Sequence, residues 1–271
     1  MNIKLFVSVF LAGFIFLLTP LSIAQNPPAD QMELIKWMLY YYKQPKPKTF
    51  PIKLNAFSKA GLFDEEKRQF PFLGFASTVF RNNSSMITEW VNNIKDLPKN
   101  HKKVILIALW LSNTKESNAI LKQSQFQSII EGKNYYNFDT RQEPPNLDRL
   151  YKTYGGFLDI QWGRFLATGD KEPVQLIIST LEYGEHFGTI EKLKGKDKNT
   201  LSDKEKDQII KEATFNSAMW SLRSNSMQHP LVKKYCEEIY ENGDINSTAK
   251  QWLGVLLTQI NPDKYKLDKN K

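Results

Sequence analysis

The sequence predicts an all-α protein built of αα-hairpins, stacked as a curved helical-repeat-like array or gathered into an irregular bundle. Three observations carry that expectation. Apolar residues recur at helical spacing in segment after segment. Capping and breaking residues fall between those segments. Evidence for strands is confined to one continuous apolar run at 104–111.

Taken in order, residues 1–24 read as a secretory signal peptide. Lys4 precedes an apolar run from Leu5 to Leu18, Pro20 ends it, and Ser22-Ile23-Ala24 offers small residues for cleavage after Ala24. Removal would leave 247 residues at a formal charge of +7, since only Lys4 is lost. The alternative is an uncleaved N-terminal membrane anchor, because 5–24 is close to the shortest span. Residues 25–261 are expected to form a single helical domain and 262–271 a fraying, lysine-rich tail.

Within the domain, Ile35, Met38, Leu39 and Tyr42 mark the first helical stripe. Asp64 before Glu65-Glu66 is placed to cap a helix. Ile87, Trp90, Val91 and Ile94 mark another stripe. The run 104–111 follows Pro98 and a basic turn and contains Leu and Ala, so a buried helix is preferred over a buried strand. Residues 131–146 read as a loop. Leu147, Leu150, Tyr151, Tyr154, Leu158, Trp162 and Phe165 predict one long helix, with Gly155-Gly156 inside it. Asp170 and Pro173 open the stripe Val174, Ile177, Ile178 and Leu181. The lysine-rich stretch 188–204 reads as a solvated connection. Ser202 with Glu205 predicts a capping box. Val232, Tyr235, Cys236 and Ile239 form a stripe closed by Asn242-Gly243, a site for a left-handed cap. Ala249, Trp252, Leu253, Leu256 and Ile260 form the last. Four aromatic-then-polar corners, after Phe80, Trp110, Trp162 and Trp220, suggest hairpin turns at irregular spacing.

Two blocks carry a resemblance. The first is Gln161-Trp162-Gly163-Arg164-Phe165-Leu166-Ala167-Thr168-Gly169-Asp170 with Pro173-Val174. The second is Ala218-Met219-Trp220-Ser221-Leu222 followed by Gln228-His229-Pro230-Leu231-Val232. Both are similar to a pattern in an uncharacterised family of exported bacterial all-helical proteins. The resemblance implies a bacterial, exported, all-α chain and carries no activity.

Composition removes whole classes. An apolar fraction of 41% is too high for a disordered chain. One cysteine permits no internal disulfide, and three histidines leave little for a soft-metal cluster, so neither a metal nor a cofactor is expected. Cys236, on a helical stripe, reads as a buried, inert thiol. A formal charge of +8 would suit an acidic partner. The lysines gather in loops and tail rather than alternating with aromatics, and the chain reads as exported, so nucleic acid is not expected and anionic lipid or a cell-surface polymer is at most a weak partner. Asn83 and Asn246 stand in glycosylation sequons, relevant only in a eukaryotic secretory route.

Serine-elbow, phosphate-loop and dinucleotide motifs are all missing from the sequence. His101, in a basic turn, reads as solvated, and His186 beside Glu185 reads as a surface histidine or an acid–base group. Asp159 falls in an apolar stripe, either exposed on the far face or buried with a raised pKa. Asp159, Arg164 and His229 are therefore the candidates for an envelope hydrolase. The leading expectation is a non-enzymatic exported scaffold or binding protein presenting a concave surface to an envelope protein or peptide. Trp162, Trp220, Trp252 and Tyr41 are its candidate binding residues, each with a competing role as core. Tyr40-Tyr41-Tyr42 would cover every face of a helix and leave at least one ring exposed.

Overall fold

A computed structural model describes residues 29–130, 136 and 138–265. The signal peptide expected at 1–24 lies outside the described residues. The described chain is all-α, with helices packed on helices and no strand among the described residues. The span 25–261, expected as one domain, divides into two compact units, one of 29–150 with Asp159–Asp170, the other of Tyr151–Leu158 with 171–265.

The first unit contains α1 (Ala29–Leu39), α2 (Phe50–Lys59), α3 (Phe70–Asn82), α4 (Ile87–Asn92), α5 (Lys99–Ser112), α6 (Lys115–Leu121) and α7 (Ser124–Ile130). It also takes most of α8 (Phe157–Thr168). The apolar run 104–111 is a helix, and every residue from Val104 to Ser112 is buried. It packs on α3, which is nearly as apolar. The end of α5 shows how such a buried helix terminates. Asn113 turns left-handed at φ 49°, and the Arg81 guanidinium donates to the carbonyls of Leu111 and Ser112 at 3.3 and 3.1 Å. Thr114 and Ser117 then form a capping box that opens α6.

Two glycines govern the meeting of α3 and α8. A Cβ on Gly74 would lie 2.1 Å from the Ile160 carbonyl oxygen, and one on Gly163 would lie 2.0 Å from that of Pro71. The two backbones are therefore in direct contact, and only glycine fits at either position. Around them Trp37, Tyr41, Phe50, Phe75, Phe80 and Trp90 interlock with ring centroids 5.1–6.2 Å apart. Most of these pairs meet edge to face, the arrangement the ring quadrupoles favour.

The second unit contains α9 (Lys171–Ser179), α10 (Thr189–Lys192), α11 (Asp203–Gln228), α12 (Pro230–Asn242) and α13 (Ser247–Ile260). A 3-10 helix, Thr180–His186, continues directly from α9 and packs against α11 and α13. Seven residues is long for that geometry. Gly184 on it admits the Trp252 indole, whose Nε1 would be 2.1 Å from an added Cβ. The Ser202–Glu205 capping box opens α11 as the sequence predicts. Cys236 is fully buried, and burial pushes its thiol up to about 12.

Several local expectations are corrected. The first helix ends at Leu39 and the tyrosines enter a 3-10 turn, so none of Tyr40, Tyr41 and Tyr42 is exposed. The long helix expected from Leu147 is a 3-10 turn, Leu147–Arg149, followed by extended backbone at Leu150. Helix α8 starts only at Phe157, so Gly155-Gly156 precedes it. Asp64 caps nothing and bonds His101 instead. The corner expected after Trp220 does not exist. Ser221 and Asn225 bond back to the carbonyls of Ala218 and Ser221, and α11 runs on to Gln228. Gly243 is extended at φ −80°, and its glycine serves space, since a Cβ would lie 2.5 Å from the Ile239 carbonyl oxygen. The stretch 188–204 is tied down at its start: the buried Glu212 carboxylate accepts from the Gly188 and Ile190 amides at 2.9 and 2.7 Å. The first part of the tail is also held, with Lys264 and Tyr265 bonded to Glu241.

Gly163→Ala is expected to lose about 3 kcal/mol of stability in urea unfolding, because backbone has no room to retreat. Gly254→Ala meets only a Tyr240 ring carbon at 3.1 Å, and its cost is expected below about 1 kcal/mol.

Candidate functional site

The three residues singled out for acid–base chemistry are all buried. Asp159, favoured as exposed, is the third residue of α8 and only 8% exposed. Its Oδ1 has no hydrogen-bond partner among the described residues, and desolvation raises its pKa to about 7. Arg164 lies five residues further along the same helix. Its guanidinium donates to Gln161 Oε1 at 2.6 Å and to the Asp148 carboxylate. Gln161 in turn donates to the Leu147 carbonyl at 2.8 Å. This chain of bonds stitches the 3-10 turn Leu147–Arg149 to α8. His229 lies in the other unit, fully buried at the junction of α11 and α12, where its backbone amide donates to Asn225 at 2.8 Å. His186 is not a free surface group. Its buried Nε2 lies 3.1 Å from the Glu185 carboxylate without the alignment of a hydrogen bond.

The four candidate binding aromatics have separate fates. Tyr41 and Trp162 are buried in the first unit. Trp252 is half-buried in the second, against Phe187 and Phe215 with centroids at 5.5 and 4.8 Å. Trp220 is open, at 40% exposure on α11.

One constellation had no sequence signal. His101, expected to be solvated, is buried, and it links two hydroxyl- and carboxylate-bearing side chains. Its Nδ1 lies 2.7 Å from Ser58 Oγ and its Nε2 lies 2.7 Å from Asp64 Oδ1. A serine, a histidine and an aspartate in one chain of bonds resemble a hydrolytic relay, but the order of burial is reversed. Ser58 is buried while the Asp64 side chain is 60% exposed. A nucleophile must meet substrate and its orienting carboxylate is the sheltered member. The chain therefore reads as a tie between helices. Ser58 lies in the last turn of α2, where Gly61, at φ 70°, and Leu62 donate back to the carbonyls of Ser58 and Phe57. His101 fastens that turn to α5.

The second unit holds a cleft of about 470 Å³. Helix α9 forms one wall through Glu172, Gln175, Leu176 and Ser179. Those positions share a face, while Pro173, Val174, Ile177 and Ile178 face the core. Asp244, Ile245 and Asn246 also line it, and Lys152 and Glu182 complete the lining. Lys152 Nζ bonds the Glu182 carboxylate at 2.8 Å, each side chain being about one-third exposed. The Asn246 side chain accepts from the Thr248 amide at 2.8 Å and so caps α13. The lining thus combines both charges, two amides, a hydroxyl and two aliphatic side chains. Among the described residues no group of three His, Cys, Asp or Glu is placed to hold a metal ion, and no helix is long and apolar enough to cross a membrane. Comparison with protein-family models, with curated proteins and with solved structures gives no match in any of the three.

Two outcomes follow from these geometries. A folded-state pKa raised above the unfolded value means that the folded chain binds more protons, so stability falls as pH rises from about 4 through about 7. Asp159→Asn should raise stability by about 2–4 kcal/mol at pH 8 and leave it nearly unchanged at pH 4, as read by thermal unfolding at both. His101→Ala should cost about 2–3 kcal/mol, because it strands a buried hydroxyl, whereas Asp64→Asn should cost under about 1 kcal/mol. Urea unfolding of the two variants tests that asymmetry.

Proposed function

We propose that the chain is an exported helical binding protein of a bacterial cell envelope, holding a protein or peptide partner in the cleft beside α9. The observation that carries this reading is the outward face of α9. Glu172, Gln175, Leu176 and Ser179 line a cavity of about 470 Å³ and are not needed for the core behind them. A cavity of that size lies within the range of ligand sites. Its amides and hydroxyl suit a peptide backbone, which presents donors and acceptors in alternation, and Leu176 and Ile245 suit an aliphatic side chain. Export rests on the leader at 1–24 and on the likeness of the two sequence blocks to exported helical proteins. The fully buried lone thiol is compatible with an oxidising compartment. A curved array of hairpins remains the finer form of the proposal.

Filling the cleft tests the binding reading. A phage-displayed peptide library selected on the immobilised chain is expected to enrich sequences that no longer bind Gln175→Trp but still bind Ile52→Ala, a change on the other unit. Enrichment of nothing, or of sequences indifferent to the tryptophan, overturns it. The mass of the exported chain should begin at Gln25. A mass that includes Met1 would favour the anchor.

A further inference from the structure

We infer that the first unit carries a docking surface of its own, the outer face of α2 with the turn before it, and that its partner is the surface of an anionic phospholipid bilayer. This surface is independent of the cleft. Charge points to it first. The chain holds 29 acidic residues in 271, yet residues 34–63 contain none and hold six lysines. Elsewhere lysines are answered within the fold: Lys152, Lys171, Lys196 and Lys211 each meet a carboxylate at 2.7–3.0 Å. Among the described residues Lys36, Lys43, Lys46, Lys48, Lys53 and Lys59 form no ion pair. Lys43 and Lys53 lie instead over the rings of Tyr40 and Trp37, at 4.6 and 5.8 Å. Asn55 meets the Asn93 carbonyl at 3.1 Å, and the acids flanking Asn93, Glu89 and Asp96, pair with none of these lysines.

Placement separates a bilayer from any other anionic partner. The 3-10 turn Pro47–Thr49 runs directly into α2, and spacings of four and seven put Lys48, Ile52 and Lys59 on one stripe. All three are exposed, while Phe50, Pro51, Leu54, Phe57 and Ser58 are buried on the other side. Ile52 stands 69% exposed between the two lysines. An aliphatic group there gains nothing from water and nothing from a soluble polyanion. At a bilayer it enters the acyl boundary, while the lysine stems lie along the interface and their heads reach the phosphates. The turn is ordered before contact. Pro45 and Pro47 fix the backbone on either side of Lys46, and the Lys46 carbonyl accepts from the Thr49 amide and hydroxyl at 3.0 and 2.8 Å. Tyr41 and Phe50, both buried, pin its two ends. Binding therefore spends little on ordering the surface.

Co-sedimentation of the exported chain with two kinds of vesicle tests the inference, one of phosphatidylcholine alone and one of equal parts phosphatidylcholine and phosphatidylglycerol. Binding is expected on the mixed vesicles in low salt, with loss in high salt and none on phosphatidylcholine alone. Lys46→Gln and Lys48→Gln should each weaken it about fivefold, the share of one lysine at an anionic surface. Ile52→Ser should weaken it about tenfold. Lys48→Arg, which keeps the charge, should retain it. Lys204→Gln removes an equal charge from an exposed lysine of the second unit and should change it less than about twofold. All these positions are exposed, so the thermal unfolding midpoint of each variant should stay in place. Equal losses for Lys204→Gln and Lys48→Gln would make net charge the cause and overturn the surface. Binding that responds to the lysines but not to Ile52→Ser is the behaviour of a site for a soluble anionic polymer, and it overturns the bilayer as partner. Absence of binding to the mixed vesicles, or equal binding to both kinds, overturns the inference outright.

Discussion

The crossing of α3 and α8 is the constraint on which the first unit depends. Gly74 receives the backbone of Ile160, and Gly163 receives the backbone of Pro71 and Phe75. Contact on both sides fixes the register of α8 along α3 as well as their distance, because each glycine must sit opposite its partner's carbonyl. Everything else on α8 inherits that register. Ile160, Trp162 and Phe165 point into packing, and Arg164 arrives where Asp148 can meet it. A close crossing also makes polar groups on the helix expensive, since water is excluded and few donors remain.

The molecule answers that expense in contrasting ways. Glu212 is as deeply buried as Asp159, but two backbone amides receive its carboxylate. Arg164 is buried with an amide and a carboxylate on its guanidinium. Asp159 has no comparable arrangement at Oδ1, and its elevated proton affinity is the outcome. Burial alone therefore does not identify a reactive group. What separates these carboxylates is the supply of donors around each.

The helical class was legible because it follows from local periodicity. The run 104–111 is a buried helix and Ser202 with Glu205 a capping box, as the sequence predicts, because both signals lie within a few residues. Failures arose where a distant partner decides. His101 looks solvated among lysines until Ser58 and Asp64, some forty residues earlier, close around it. Ser224-Asn225-Ser226 looks like a break until the side chains of Ser221 and Asn225 satisfy themselves inside the helix. The cleft was invisible for a related reason. Glu172, Gln175 and Ser179 are an ordinary polar stripe in sequence, and only the return of the chain at Asp244–Asn246 makes that stripe a wall. Trp162, a candidate for lining a groove on its aromatic character alone, is buried in the interior of the first unit.

The lone cysteine has a use that follows from its depth. Cys236 lies beneath the surface of α12, with Ser226 Oγ at 3.8 Å and its thiol held protonated. A thiol reagent reaches it only when the helices around it part. With a single such group in the chain, each modification event records one opening of the packing around α12. The residue thus supplies a built-in clock for the excursions of the helices packed around it.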